Sequence, residues 1–112
     1  MAKYEATLRG DFNIILKDIE DSVMRKSLSA SFEDGSFYQD GDTAFAFRVY
    51  ERYSYFGNNR VSLSILLFKK GDDIKFSAIT SGGSQAVFFK INTVGEQNFL
   101  STIIDTVEKY RI

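Results

Sequence analysis

The chain contains neither histidine nor cysteine, and this limits the chemistry that it can perform. Without imidazole or thiol groups, zinc sites of the usual ligand type, disulfides, thiol catalysis and histidine-based triads are excluded. Carboxylates, hydroxyls, lysines and arginines remain, and none has the spacing of a known catalytic or metal-binding motif. We therefore assign no catalytic residue, no metal ligand and no cofactor, and the sequence favours a protein that is not an enzyme.

One carboxylate, that of Glu51, stands out because the predicted strand register places it among apolar side chains. Side chains alternate along a strand, so the length of each turn decides which residues share a face. A three-residue loop at residues 57–59 and two-residue turns at residues 40–41 and 71–72 give one consistent register. In that register one row across the sheet comprises Ala30, Glu51, Ile65 and Ala78, and Tyr53 lies on the same face.

The two alanines of this row leave room beside Glu51, which favours a small apolar pocket between the sheet and the helices. The leading hypothesis is a non-enzymatic binding module that takes a small apolar ligand in this pocket. A second hypothesis is an enzyme that uses Glu51 as a general acid or base. A third reading gives Glu51 no pocket at all: it lies near the end of the sheet, reaches solvent, or accepts a hydrogen bond from a hydroxyl group.

The opposite face of the predicted sheet carries more large apolar groups than a solvent-facing surface needs. In the same register these residues are Tyr50, Leu66, Phe68 and Ile79. They predict a homodimer interface or a docking surface, so that the protein would act as an interaction adaptor. Scattered exposed apolar residues, with arginine stems packed on tyrosine rings, are the alternative.

The elements that must position these residues follow from hydrophobic periodicity. Residues 3–9 alternate as a half-buried strand, and apolar residues at spacings of three and four predict a helix from Phe12 to residues 24–26, capped by Asp11. Four alternating segments follow, then residues 86–91 as a sixth strand or an extended lead. A final helix starts at a capping box in residues 93–96. The order β-α-β-β-β-β-(β)-α predicts an α+β fold, a single antiparallel sheet of five to six strands with two helices on one face. The topology resembles the TATA-binding-protein-like and helix-grip folds, which host many functions.

Length and charge narrow the class of protein. With 112 residues the chain is predicted to form a single domain, residues 1–112. The net charge of −1 argues against nucleic-acid binding, although Tyr50 and Tyr53 lie near several arginines. No apolar run reaches the roughly 20 residues of a membrane span, and the first residues lack the apolar core of a signal peptide. We expect a cytoplasmic protein.

Two stretches carry a family resemblance, VYERYSYFG at residues 49–57 and SAITSGGSQA at residues 77–86. They resemble a family of short uncharacterised proteins of Gram-positive bacteria, a domain of unknown function. The similarity covers nearly the whole chain. The resemblance implies a bacterial cytoplasmic protein, and it supplies no catalytic or binding residues.

Overall fold

The computed structural model describes residues 1–27, 29–54, 59–82 and 89–112, with the backbone alone for residues 54, 59 and 89–95. It forms an α+β fold of one five-stranded antiparallel sheet and two helices. The elements in chain order are β1 Ala2–Leu8, α1 Phe12–Lys26, β2 Ser31–Asp40, β3 Thr43–Ser54, β4 Asn59–Lys70, β5 Asp73–Gly82 and α2 Phe89–Glu108. Within the described residues no helix is long and apolar enough to cross a membrane.

Helix α1 forms as its sequence predicts. The Asp11 side chain accepts a hydrogen bond from the backbone N–H of Ile14 at 3.0 Å and so closes the first turn. The apolar residues at spacings of three and four are buried against the sheet and α2, and Arg25 and Lys26 occupy the last turn, where the helix dipole favours positive charge.

Helix α2 differs from its prediction because it extends about one turn further towards the N-terminus. Residues 93–96 therefore lie inside the helix and do not cap it, and residues 89–91 are helical and not part of a sixth strand. Residues 83–88, the rest of that predicted strand, lie outside the described residues. Since no glycine or proline stands between Phe89 and Asn92, nothing in the sequence stops the helix there. The buried Glu96 instead accepts a hydrogen bond from the backbone N–H of Gly82 at 3.0 Å.

The strand order is β1-β5-β4-β3-β2, so the first strand lies beside the last and β4 is central. Ile65 lies opposite Ala78, and Lys70 opposite Asp73, as predicted from the turn at Gly71, whose φ of +63° suits glycine. The helices cover one face of this sheet. The core fills that side with Ile15, Ile19, Leu63, Ile65, Leu67, Phe76, Phe99 and Ile103, among others.

The predicted register of β3 against β4 is wrong. Ser54 pairs with Asn59 and Tyr53 with Arg60, so four residues connect the strands, where a three-residue loop was predicted. This odd shift in register turns every side chain of β3 to the opposite face. The turn between β2 and β3 also differs: Asp40 pairs with Thr43, which centres the turn on Gly41 and Asp42, and a β-bulge follows between Phe32 and Asp34.

As a result, the core face of β3 carries small residues and arginines in place of Phe47, Val49 and Tyr53, which a three-residue loop would put there. Ala44, Ala46 and Tyr50 are buried. Arg48 and Arg52 share this face, and each charged end finds a partner. Arg48 donates to Glu20 of α1 at 3.3 Å, and the Arg52 guanidinium lies over the Phe99 ring at 4.7 Å from its centroid. Long arginine stems pack on the core while their charged ends remain solvated or paired.

Candidate functional site

The face of the sheet opposite the helices, here called the outer face, carries a continuous group of large apolar side chains. Because side chains alternate along a strand, every second residue of β2 to β5 points to this face. The group, here called the apolar patch, comprises Tyr38, Phe45, Phe47, Val49, Leu66, Phe68 and Ile79.

Strand pairing joins these residues into one surface. Phe47 lies directly opposite Leu66, and Phe45 directly opposite Phe68. The rings of Tyr38 and Phe45 stack at a centroid distance of 6.0 Å and an angle of 14°. Cross-strand aromatic and aliphatic contacts of this kind stabilise a sheet, and here they join the apolar side chains of neighbouring strands.

The apolar patch is well exposed to solvent. Phe47, Leu66, Phe68 and Ile79 are each 37–39% exposed and Tyr38 is 56% exposed. At roughly 200 Å² for a large side chain, these five residues present about 400 Å² of apolar surface. That area lies within the range of the largest patches on monomeric proteins, roughly 300–600 Å², and such patches are often functional.

Two open depressions adjoin the patch on the side of β5 and β1. One, of about 470 Å³, has Glu5, Thr7, Leu66, Lys75 and Ser77 among its lining residues. The second, of about 240 Å³, is lined by Phe68, Lys70, Asp73 and Lys75. The outer face is therefore uneven: aromatic rings occupy the half formed by β2 and β3, whereas the half formed by β5 and β1 is concave.

Charged groups lie around the patch and differ between its two edges. Strand β2 carries Glu33, Asp34 and Asp40 and neither lysine nor arginine. At the other edge, Arg9 donates to Asp73 at 2.8 Å, and this hydrogen bond lowers the pKa of the Asp73 carboxyl. Lys75 lies between the depressions and donates to the Thr7 hydroxyl at 3.0 Å.

The structure removes Glu51 and Tyr53 from the predicted pocket, because the register of β3 turns both to the outer face. Glu51 lies opposite Ser31 and Ser62, and not between Ala30 and Ile65. Its carboxylate accepts a hydrogen bond from Arg60 at 2.8 Å, which raises the pKa of the Arg60 guanidinium. Tyr53 is 47% exposed. The predicted row of Ala30, Glu51, Ile65 and Ala78 therefore does not form.

The other pocket candidates lie on the helix side. Ile65 and Ala78 face each other there, as predicted, and are 1% and 0% exposed. Ala30 precedes β2 and packs at the margin of the core, half-buried. Arg48 takes the place beside Ile65 that the prediction gave to Glu51. The side chains that were expected to line an apolar cavity are instead part of the packed core.

Among the predicted interface residues, Leu66, Phe68 and Ile79 lie on the outer face and are 37–39% exposed, and their role as an interface stays a prediction. The placement of Tyr50 is wrong: this side chain is 1% exposed, packs edge-on against Phe32, and lies near Glu20. Burial raises the pKa of Tyr50 far above its usual range, and the nearby Glu20 carboxylate adds to the effect.

Sequence reasoning missed four members of the apolar patch, Tyr38, Phe45, Phe47 and Val49. The alternation of Phe45, Phe47 and Val49 along the chain indicated a core face for these three, and the pairing of β3 with β4 places them on the outer face instead. A usable signal was the pair Ala44 and Ala46, because small residues allow a helix to approach a sheet closely. Among the described residues no group of three or more acidic side chains could hold a metal ion.

Comparison with protein-family models matches residues 1–111 to a family described as a family of unknown function, DUF6054. No curated protein and no solved structure matches the chain. The family match confirms the predicted resemblance to a domain of unknown function. The Gram-positive range and the likeness to helix-grip folds stay predictions.

Proposed function

Because the chain belongs to DUF6054, a family of unknown function, we propose its function from the geometry of the outer face. In this proposal the protein is a non-enzymatic interaction module that binds a protein partner through the apolar patch. The observation that carries the proposal is the pairing of Phe47 with Leu66 and of Phe45 with Phe68 on a face that neither helix of the described residues covers. A cytoplasmic bacterial location belongs to the proposal as well.

The cost of exposing the patch supports this function. Moving apolar surface into contact with water costs about 25 cal/mol per Å², so roughly 400 Å² corresponds to about 10 kcal/mol of unused burial. Apolar patches of this size are often functional, so the exposure favours a binding role for this face. Serine or threonine at Phe47 and Phe68 would preserve the strands without this exposure, since the core side chains of β3 and β4 point the other way.

The alternatives that the sequence left open have less support. An enzyme that uses Glu51 would need this carboxylate in a cleft, whereas it lies on the outer face in an ion pair with Arg60. A binding module with an apolar pocket would need space beside Ile65 and Ala78, and both side chains are fully packed. Neither alternative accounts for the apolar patch.

A photo-reactive amino acid placed at position 68 tests the proposal in cells of the native host. The matched control places the same probe at Ile14, which is 62% exposed on the solvent side of α1. We expect a discrete protein adduct from position 68, the same adduct from position 47, and none from position 14. Equal labelling at all three positions, or no adduct from either patch position, would refute the outer face as the working surface.

A further inference from the structure

We infer that the partner on the outer face is a second copy of this chain, packed face to face about a two-fold axis that runs parallel to the strands. This inference rests on the proposed function, because it names the partner of the same surface. Here a row means the residues that lie side by side across the five strands. Rotation about such an axis leaves each row at the same position along the strands, and it places the β2 edge of one copy over the β1 edge of the other. The half formed by β2 and β3 in one copy then covers the half formed by β5 and β1 in the other, and β4 faces β4.

The size of the outer face suits a stable dimer. Five strands spaced about 4.8 Å apart, each 10 to 12 residues long for β2 to β5, give a surface of about 20 by 35 Å, or roughly 700 Å² per copy. Stable protein interfaces bury about 800 Å² per partner. A short peptide would cover only part of this surface, whereas a second five-stranded sheet matches it in length and width.

The uneven shape of the face selects the direction of the axis. Phe45 and Phe47 lie on β3, on one side of the central strand β4. Lys75 and Ser77 lie in the same two rows on β5, on the other side of β4. With the axis parallel to the strands, Phe47 therefore approaches the partner's Ser77, where the depression of about 470 Å³ is open. With the axis across the strands, aromatic rings would meet aromatic rings and the depressions would remain empty.

The charges select the same axis. Strand β2 carries three acidic and no basic residues, so an arrangement that places β2 over the partner's β2 would bring like charges together. The axis parallel to the strands places β2 over β1 of the other copy. Asp34 on β2 and Lys3 on β1 lie at opposite ends of one row, which runs through Val49, Ser64 and Ile79. Because the rotation exchanges the two edges, Asp34 approaches the partner's Lys3.

The edges of the sheet oppose the other common way of joining two sheets, which is strand addition. The β-bulge between Phe32 and Asp34 interrupts the free edge of β2, and its acidic side chains repel a second β2 edge. Bulges and charges at an edge strand are devices that prevent edge-to-edge pairing. Association is therefore directed to the face.

Single cysteines test the arrangement, because the chain has no cysteine of its own. Ser64 lies on central β4 and Ser36 on edge strand β2, and both serines point to the outer face. Packed sheets lie roughly 10 Å apart, so Ser64→Cys should be joined to its copy by a bifunctional maleimide of that span. In Ser36→Cys the two thiols are separated by about 19 Å in the direction across the strands, because β2 lies two strands from β4 in each copy. The same maleimide should therefore not join them.

Each outcome has a defined meaning. Cross-linked dimer from Ser64→Cys at more than ten times the yield from Ser36→Cys, together with a dimeric mass for the wild-type chain in sedimentation, supports the inference. Preferential cross-linking of Ser36→Cys would overturn the axis. A wild-type chain that sediments as a monomer, with neither variant cross-linked, would overturn the second copy as partner. The proposed function would survive that last result if the probe at position 68 still joined the chain to a different protein.

Discussion

The register of β3 predicts opposite effects for two large aromatic residues that are only three positions apart. Tyr50 is 1% exposed beneath the helices, whereas Phe47 is 38% exposed on the outer face. Truncation of a fully buried aromatic residue to alanine costs about 3–5 kcal/mol of unfolding free energy, so Tyr50→Ala should lose that amount. Phe47 buries about three-fifths of its side chain, and at 1.5–3 kcal/mol for full burial Phe47→Ala should lose about 1–2 kcal/mol.

Urea unfolding followed by far-ultraviolet circular dichroism measures both losses, since the chain has no tryptophan to report by fluorescence. Both substitutions are best made in a Phe68→Asp background, where association through the outer face does not add to the stability. The free energy of unfolding of a native protein is about 5–15 kcal/mol, so a loss of about 3–5 kcal/mol leaves a measurable unfolding transition. Equal losses, or a larger loss from Phe47→Ala, would refute the register of β3 and with it the apolar patch.

Three further predictions concern the contacts of β3 and the packing of α1 against α2. Gly35→Ala should lower the free energy of unfolding by about 1–3 kcal/mol, because its new methyl group would lie 2.4 Å from the Phe47 carbonyl oxygen. In the same unfolding assay the control Ser36→Ala should change that free energy by no more than about 0.5 kcal/mol. Burial raises the pKa of Tyr50, so the folded state holds the phenol proton more tightly than the unfolded state does, and the free energy of unfolding should fall as the pH rises above the unfolded tyrosine pKa of about 10. Tyr50→Phe should make this fall between about pH 9 and 11 smaller. An unchanged dependence of the free energy of unfolding on pH would contradict the burial of Tyr50. Ser22→Ala should lower the free energy of unfolding by about 1–3 kcal/mol, because the buried Ser22 hydroxyl donates to the Thr102 carbonyl at 2.7 Å and accepts from Thr106 at 2.9 Å. An unchanged melting temperature in thermal denaturation would refute a stabilising role for these hydrogen bonds.

The fold class could be predicted from the sequence because its evidence is local. The periodicity of α1, its Asp11 cap and the glycine turn at Gly71 each depend on a few adjacent residues, and all three agree with the structure. The faces of β4 and β5 were also predictable, since Leu63, Ile65 and Leu67 alternate with serines and one face is clearly the more apolar.

The faces of β3 could not be predicted in the same way, because both faces carry plausible core residues. Phe45, Phe47 and Val49 lie on one side, and Ala44, Ala46 and Tyr50 on the other. The observed pairing of β3 with β4 gives a register with two arginines under the helices, where unpaired charges would be costly. It is acceptable in the structure because Glu20 of α1 pairs with Arg48 and the Phe99 ring receives Arg52, and both partners are far away in the chain. Contacts at long range thus decided a choice that local patterns left balanced.

Sedimentation equilibrium of Phe68→Asp beside Ile14→Asp most directly tests the central claim, that the outer face binds a partner and that this partner is a second copy of the chain. Phe68 lies on β4 in the middle of the apolar patch, and a two-fold contact places the new charge at the interface twice. We predict a dimeric wild-type chain, a dimeric Ile14→Asp control, and a folded Phe68→Asp chain whose dimer dissociation constant is raised at least roughly 100-fold. A Phe68→Asp chain that associates as strongly as the control would contradict the account.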